Sequence, residues 1–378
     1  MKRTMRTLLF CGLVAAVSMT QGCGQKAKPG VVKAAFGVMP DGRAVDLFTL
    51  TNRSGMEARI TNYGCIVTHL TVPDRNGKPG DVVLGYDSLS SYLAVNPYFG
   101  CVAGRYANRI AKAQFRLDGR TVRVTRNDGP NHLHGGRAGF DKKLWTAEPS
   151  DSSAALKLVY TASDGEEGYP GSLTATVIYT LTDDNEFRIE YEAVTDKPTV
   201  VNLTQHSYFN LSADPSTDAL DHTLLILADK FTPVDRTLIP TGELKSVEGT
   251  PFDFRTPTAV GARIGAEDEQ LRRGLGYDHN WVLNGWDGSL QTVAELADPV
   301  SGRTMEVLTT EPGLQFYSGN FLDGTITGKG GIVYGRRSGL CLETQHYPDS
   351  PNKPKFPSTT LRPGETYKTT TVYRFSAE

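Results

Sequence analysis

From residue 31 to residue 378 the chain reads as short runs of alternating apolar and polar residues, punctuated by Gly, Asn, Asp and Pro. A period of two puts successive side chains on opposite faces of an extended strand, so RAVDLFTLTN, ARITNYGCIVTHLTV and ALKLVYTA predict strands. SLTATVIYTLTDDNEFRIEYEAV predicts a hairpin that turns at Asp183, Asp184 and Asn185, residue types that accept turn backbone. Helical spacing is confined to DSLSSYLAV near residue 87 and ARIGAEDEQLRR near residue 262, both read as short surface turns. Parallel sheets need crossovers of about a dozen residues, and too few helical stretches exist to supply them. The pattern predicts an all-β chain: one domain built as a large antiparallel β-sandwich, its sheets stacked so that their inner faces bury each other. The proline-rich stretch YPDSPNKPKFPSTTLRPGE after residue 346 predicts an ordered loop before a last strand, TVYRFS.

The amino terminus departs from this pattern. Lys2, Arg3 and Arg6 precede an apolar run from Leu8 to Val17 and then small and polar residues, the layout of an export signal. That run is too short for a bilayer, which needs about 20 apolar residues. Gly22 and Cys23, followed by GQKAKPG, resemble a bacterial lipoprotein cleavage box, which implies a lipidated Cys23 attached to a membrane in the periplasm. Thr20 stands where such boxes usually carry leucine, so simple secretion is the alternative. The expected division is a signal peptide over residues 1–22, a tether over 23–34 and a folded domain over 35–378.

Composition narrows the partners. Lys plus Arg total 40 against 42 for Asp plus Glu, with no long run of either sign, which argues against nucleic acid. Of the 5 cysteines, Cys11 leaves with the signal and Cys23 carries lipid, leaving Cys65, Cys101 and Cys341. No C-x-x-C spacing is present, so these read as buried small apolar residues, with a Cys65–Cys101 bridge left open.

Candidate chemistry begins at VVNLTQHSYFNL, residues 200–211, where Asn202, Thr204, His206 and Tyr208 share one face and Val201, Leu203 and Phe209 the other. His206 is thus a proton-transfer group presented by a strand, and taken alone it is equally a hydrogen-bonded structural histidine. In SGLCLETQHYPDS, Cys341, Glu343 and Gln345 share a face, which puts a carboxylate inside a strand. Desolvating such a group costs several kcal/mol unless donors surround it, whether a ligand or an arginine such as Arg336 or Arg337. Polar groups in comparable settings are Asn108 and Arg109 in GRYANRIAKAQF, His132 and His134 in GPNHLHGG, Asp278 in GYDHNWVL and Gln315 in GLQFYSGNFLDGT. Each alone suits a turn or a loop tie, and His132 with His134 and a carboxylate would suit zinc. Together, acid, base, amides, a guanidinium and aromatics are what a small polyhydroxylated ligand requires.

The combination GRYANRI, NHLHGG, NLTQHSYFNL, YDHN, LQFYSGNFLDG and CLETQHYPDSPN resembles the aldose 1-epimerase family, also called galactose mutarotases, over nearly all of residues 35–378. The resemblance implies a β-sandwich that interconverts the α and β anomers of a free aldose with no metal or cofactor. It implies His206 as general acid and Glu343 as general base. It places Asn108, Arg109, His134, Asp278 and Gln315 against the sugar, His134 assisting at the ring oxygen. Gln205 stands where many members carry Asn, and by alternation it faces away from His206, toward packing. An acid at neutral pH would need His206 raised above its ordinary value of about 6.5, and Glu343 or Asp278 is the expected cause. Two other functions fit part of the pattern. A glycoside hydrolase would use two carboxylates, and a non-catalytic sugar-binding lipoprotein on the same fold would not need both His206 and Glu343.

Overall fold

The computed structural model describes residues 29–94 and 96–378. Cys11, Cys23 and the whole expected signal segment lie outside the described residues. Three antiparallel sheets dominate. The amino-terminal sheet has five strands in sequential order, Gly30–Val38, Ala44–Thr51, Glu57–Thr61, Val67–Pro73 and Pro79–Asp81. Its first strand starts at Gly30, so the last part of the expected tether is already paired with Ala44–Thr51. A nine-stranded sheet has at its middle the carboxy-terminal strand Tyr367–Ala377, flanked by Glu186–Thr195 and Arg303–Thr309. A five-stranded sheet, here the site sheet, runs Lys245–Ser246, Lys230–Thr232, Asp278–Val282, Gly313–Tyr317 and Cys341–Gln345.

The alternation read from the sequence is what the burial obeys. In Leu173–Leu181 every second residue is buried, and Val177 and Tyr179 face Tyr191 and Ile189 across the hairpin. Phe48, Ile60, Val177, Ile189, Trp281 and Phe316 belong to one continuous core that joins all three sheets. Burying each such side chain contributes about 1.5–3 kcal/mol, so the sandwich is held chiefly by this layer. Asn185 closes the predicted hairpin with φ of 61°, a left-handed backbone that Asn accepts. Among the described residues the α-helices are the two predicted and are short, Leu89–Ala94 and Glu269–Gly274, the second capped by Asp268. Cys65, Cys101 and Cys341 are all free and buried, and the bridge left open between the first two is not formed.

In the site sheet the pleat sorts chemistry. His279, Trp281, Leu314, Phe316 and Leu342 face the core, and their cross-strand partners confirm the register. The other face carries three rows, Asp278–Tyr317–Cys341, Asn280–Gln315–Glu343 and Val282–Gly313–Gln345, and the first two hold the candidate chemistry. A buried polar face of this kind is costly unless it is filled with partners or serves a ligand.

Candidate active site

That face forms one wall of an open cavity of about 610 Å³. Asn108, Arg109, His134, His206, Asp278 and Glu343 all line it. The sequence-derived set is therefore brought together from five separate parts of the chain, with one exception. Gln315 is not on the cavity wall; its Nε2 donates to Asp278 Oδ1 at 2.7 Å and so orients that carboxylate.

His206 lies in the short strand Thr204–His206, paired with Cys101–Ala103. Its Nε2 stands 3.7 Å from Glu343 Oε1, too far for a hydrogen bond and close enough for both groups to reach the two oxygens on one carbon. Its Nδ1 is 3.6 Å from Cys341 Sγ. Gln205 points the other way, as alternation predicts, and accepts from Tyr179 Oη at 2.7 Å. Arg336 and Arg337 do not reach Glu343; both donate to Leu275 O.

The expected rise in the His206 pKa does not occur. Burial pushes His206 down to about 4, and no carboxylate offsets it. Burial also pushes Glu343 well above the usual carboxylate range, and the negative charge of Asp278 adds to this. Desolvation thus outweighs the mutual attraction of the two groups, and the empty cavity favours a neutral imidazole beside a neutral carboxyl. Glu343 Oε2 is buried and has no hydrogen-bond partner among the described residues. Asp278 is likewise raised by burial, with Arg109 and Gln315 opposing.

His134 and Asn108 flank a two-residue ladder in which Leu133 pairs with Arg109. Both have left-handed backbone, φ of 48° and 61°. His134 N donates to Asn108 O at 3.0 Å, and Asn108 N donates back to His134 Nδ1 at 3.2 Å. With Nδ1 accepting, the neutral ring carries its proton on Nε2. Burial, together with His206 and Arg109, holds His134 well below its ordinary value, so it offers the cavity a hydrogen-bond donor and not an acid. Gly135 makes the approach possible, since a Cβ there would stand 1.8 Å from Gly104 O. Arg109 is fixed by Asp128 at 2.9 Å, and its Nη1 lies 3.9 Å from Asp278 Oδ2. The proline-rich loop supports the same segment, for Asp349 N donates to Arg109 O at 2.8 Å.

His134, His206 and Glu343 place ligand atoms within 4.8 Å of one another, the spacing of a metal site. The donor set does not fit an ion, because the proton on His134 Nε2 removes the lone pair that a metal would need. His132 contributes nothing there. Its Nδ1 meets Thr125 O at 2.6 Å and its ring meets Tyr169 Oη at 2.5 Å, away from the cavity. The zinc reading of the tandem histidines fails for that reason.

Sequence reasoning missed most of the apolar wall. Tyr98 lies 4.5 Å from the His134 ring and 5.7 Å from that of His206, centroid to centroid. Tyr317 and Phe321 stack at 5.8 Å, and Phe321 is exposed at the cavity's edge. The aromatic content of LQFYSGNFLDG was the available signal; for Tyr98, beside Phe99 in a Pro- and Gly-flanked loop, there was none.

Comparison with known proteins agrees with this geometry. A family model described as aldose 1-epimerase matches residues 46–374. The chain is 48% identical over 347 residues to a galactose mutarotase of Bos taurus, covering 92% of this chain and 98% of that protein. It is 42% identical over 341 residues to an aldose 1-epimerase of Escherichia coli K12, covering 90% and 97%. The crystal structure of a galactose 1-epimerase from Lactobacillus acidophilus superposes with a TM-score of 0.82 at 30% identity, covering 93% and 99%. A two-carboxylate hydrolase or a bare binding protein leaves the facing imidazole and carboxyl unexplained, whereas these relatives and this cavity agree, and the chain belongs to the aldose 1-epimerase family.

Proposed function

We propose that the protein interconverts the α and β anomers of a free aldose, with His206 and Glu343 exchanging protons with the two oxygens of the anomeric carbon. The observation that carries this is their 3.7 Å juxtaposition on the wall of a hexose-sized cavity. Anomer exchange needs the C1 hydroxyl proton removed, a proton delivered to the ring oxygen, rotation about the C1–C2 bond, and reclosure on the other face of the aldehyde. Glu343 takes the hydroxyl proton while His206 donates to the ring oxygen, the C1–O bond of the ring breaks, and a carbonyl forms at C1. On reclosure both protons return.

One shared proton suffices for this cycle, and its placement follows from the desolvation described above. Opening converts imidazolium and carboxylate into imidazole and carboxyl, the neutral state that burial favours for both groups. Before opening, sugar hydroxyls donate to the unpartnered Glu343 Oε2 and stabilise its anion, so the proton passes to His206. His134 Nε2–H supplies a second donor near the ring oxygen. Asp278 and Arg109 pair hydroxyls, and Tyr98 and Tyr317 cover apolar ring faces.

Polarimetry of freshly dissolved α-D-galactose and α-D-glucose tests the proposal. The protein should speed the approach to rotational equilibrium, and His206→Asn should lose at least about a hundredfold. Equal rates with and without the protein would sink it. We also propose that residues 1–22 direct export and that Cys23 carries the lipid anchor, because basic, apolar and small residues follow in that order. Mass spectrometry of the mature amino terminus that finds residues 1–22 retained would refute this.

A further inference from the structure

The strands that carry the acid and the base are not joined by a ladder. Among the described strands, Thr204–His206 pairs only with Cys101–Ala103, and Cys341–Gln345 pairs only with Gly313–Tyr317. They run antiparallel beside each other, and one backbone bridge, Phe209 with Leu340, closes the end beyond His206. Between them Thr204 Oγ1 donates to Thr344 O at 2.8 Å. Toward the other end the Asn202 amide bonds both ways to the backbone of His346, at 3.0 and 3.2 Å. The acid–base separation therefore rests on side chains in a stretch where the ladder is open.

Behind that open end sits Glu311, 1% exposed, in the turn that takes the chain from the nine-stranded sheet to the site sheet. Each of its oxygens is committed to a different catalytic strand. Oε2 meets His346 Nδ1 at 2.6 Å, three residues past Glu343. Oε1 accepts from Tyr367 Oη at 3.2 Å, and Tyr367 Oη accepts from Leu203 N at 3.2 Å, three residues before His206. Of the seven histidines, His346 alone is held above its ordinary value; burial would lower it, and the charge and hydrogen bond of Glu311 prevail. A buried carboxylate needs donors, and this one draws them from both halves of the site.

We propose that Glu311 is a positioning residue, a strut that, through His346 on one side and Tyr367 on the other, sets the spacing of Glu343 from His206. The inference rests on the assignment of those two groups as base and acid. None of the three strut residues lines the catalytic cavity. Loss of the strut should therefore leave sugar binding intact and lower turnover, since a shift of about 1 Å in reacting groups can cost about a hundredfold.

The test compares Tyr367→Phe, which removes only the hydroxyl link, with His346→Ala, His346→Gln and the Tyr367→Phe/His346→Ala pair. kcat and KM come from polarimetry and Tm from thermal unfolding. Each single cut should lower kcat about tenfold with KM within about twofold. Because either cut frees the spacing, the double variant should fall little further than the worse single. His346→Gln, whose amide still reaches a carboxylate, should recover most of the loss. Singles with kcat within about twofold of the parent, or losses that multiply in the double, would overturn the proposal. His206→Asn runs alongside: if it is inactive and the strut variants are normal, the strut alone is wrong, and if it is active, both assignments fall.

Discussion

Replacing Glu343 by Gln separates what the carboxyl does for the reaction from what its burial does to the fold. The shape is kept and the ability to take a proton is lost. A positioned base is worth about 10²- to 10⁴-fold, so kcat should drop by at least about a hundredfold while KM changes little. The effect on stability has the opposite sign. Glu343 is 2% exposed, one of its oxygens lacks a partner among the described residues, and burial with Asp278 nearby raises its pKa in the folded state. A carboxyl raised on folding leaves stability intact below its unfolded value near 4.5 and removes it as pH climbs toward the folded value. Each unit of that rise costs about 1.4 kcal/mol once pH is above both. Gln cannot ionise, so the variant should match the parent's Tm at pH 4 and exceed it at pH 8, by about 1–2 °C for each kcal/mol recovered in a domain of this size. Polarimetry with fresh α-D-galactose and thermal unfolding at the two pH values read both effects. Turnover within about tenfold of the parent would end the base assignment. The same Tm offset at pH 4 and pH 8 would show that ionisation of this carboxyl is not what strains the fold.

Other outcomes follow from the same geometry. The acid limb of kcat/KM should fall near pH 4, where burial places the second protonation of the His206–Glu343 pair, and a limb near the ordinary histidine value of 6.5 would contradict the desolvation of His206. Asp278→Ala and Arg109→Ala should raise KM about tenfold or more, as loss of a charged hydrogen bond does, and an unchanged KM in both would remove them from the sugar contacts. If Gln315 acts through the Asp278 carboxylate it holds, Gln315→Leu should raise KM less than Asp278→Ala and add nothing to it in the double variant; an additive effect would mean that Gln315 touches the sugar itself.

The fold was legible because its sheets are amphipathic in the simplest way. Leu173–Leu181 alternates without a break, and so the hairpin, its turn at Asn185 and its buried row all follow from the sequence. The candidate site was legible where a polar residue interrupts a buried strand, as at His206 and Glu343, which line one cavity. Gln315 shows the limit of that rule: alternation puts it on the cavity-side face, in register with Glu343, yet its amide is spent on Asp278 and it does not line the cavity, which alternation alone does not reveal. The protonation states were misjudged for a related reason. The sequence shows charges that are near one another and does not show how completely water is excluded, and here exclusion is the larger effect. Glu311 escaped notice because TTEPGLQ reads as an ordinary polar turn, and its two partners lie far off along the chain.

Tyr367–Ala377, the last of the described strands, lies at the middle of the nine-stranded sheet with a partner on either side. Without that segment, the two halves of the sheet have no common edge to close on, and Tyr367 cannot reach Leu203. A chain that lacks this segment is thereby kept from completing its largest sheet. By the same logic, removing Tyr367–Ala377 would abolish the fold and not merely trim an edge.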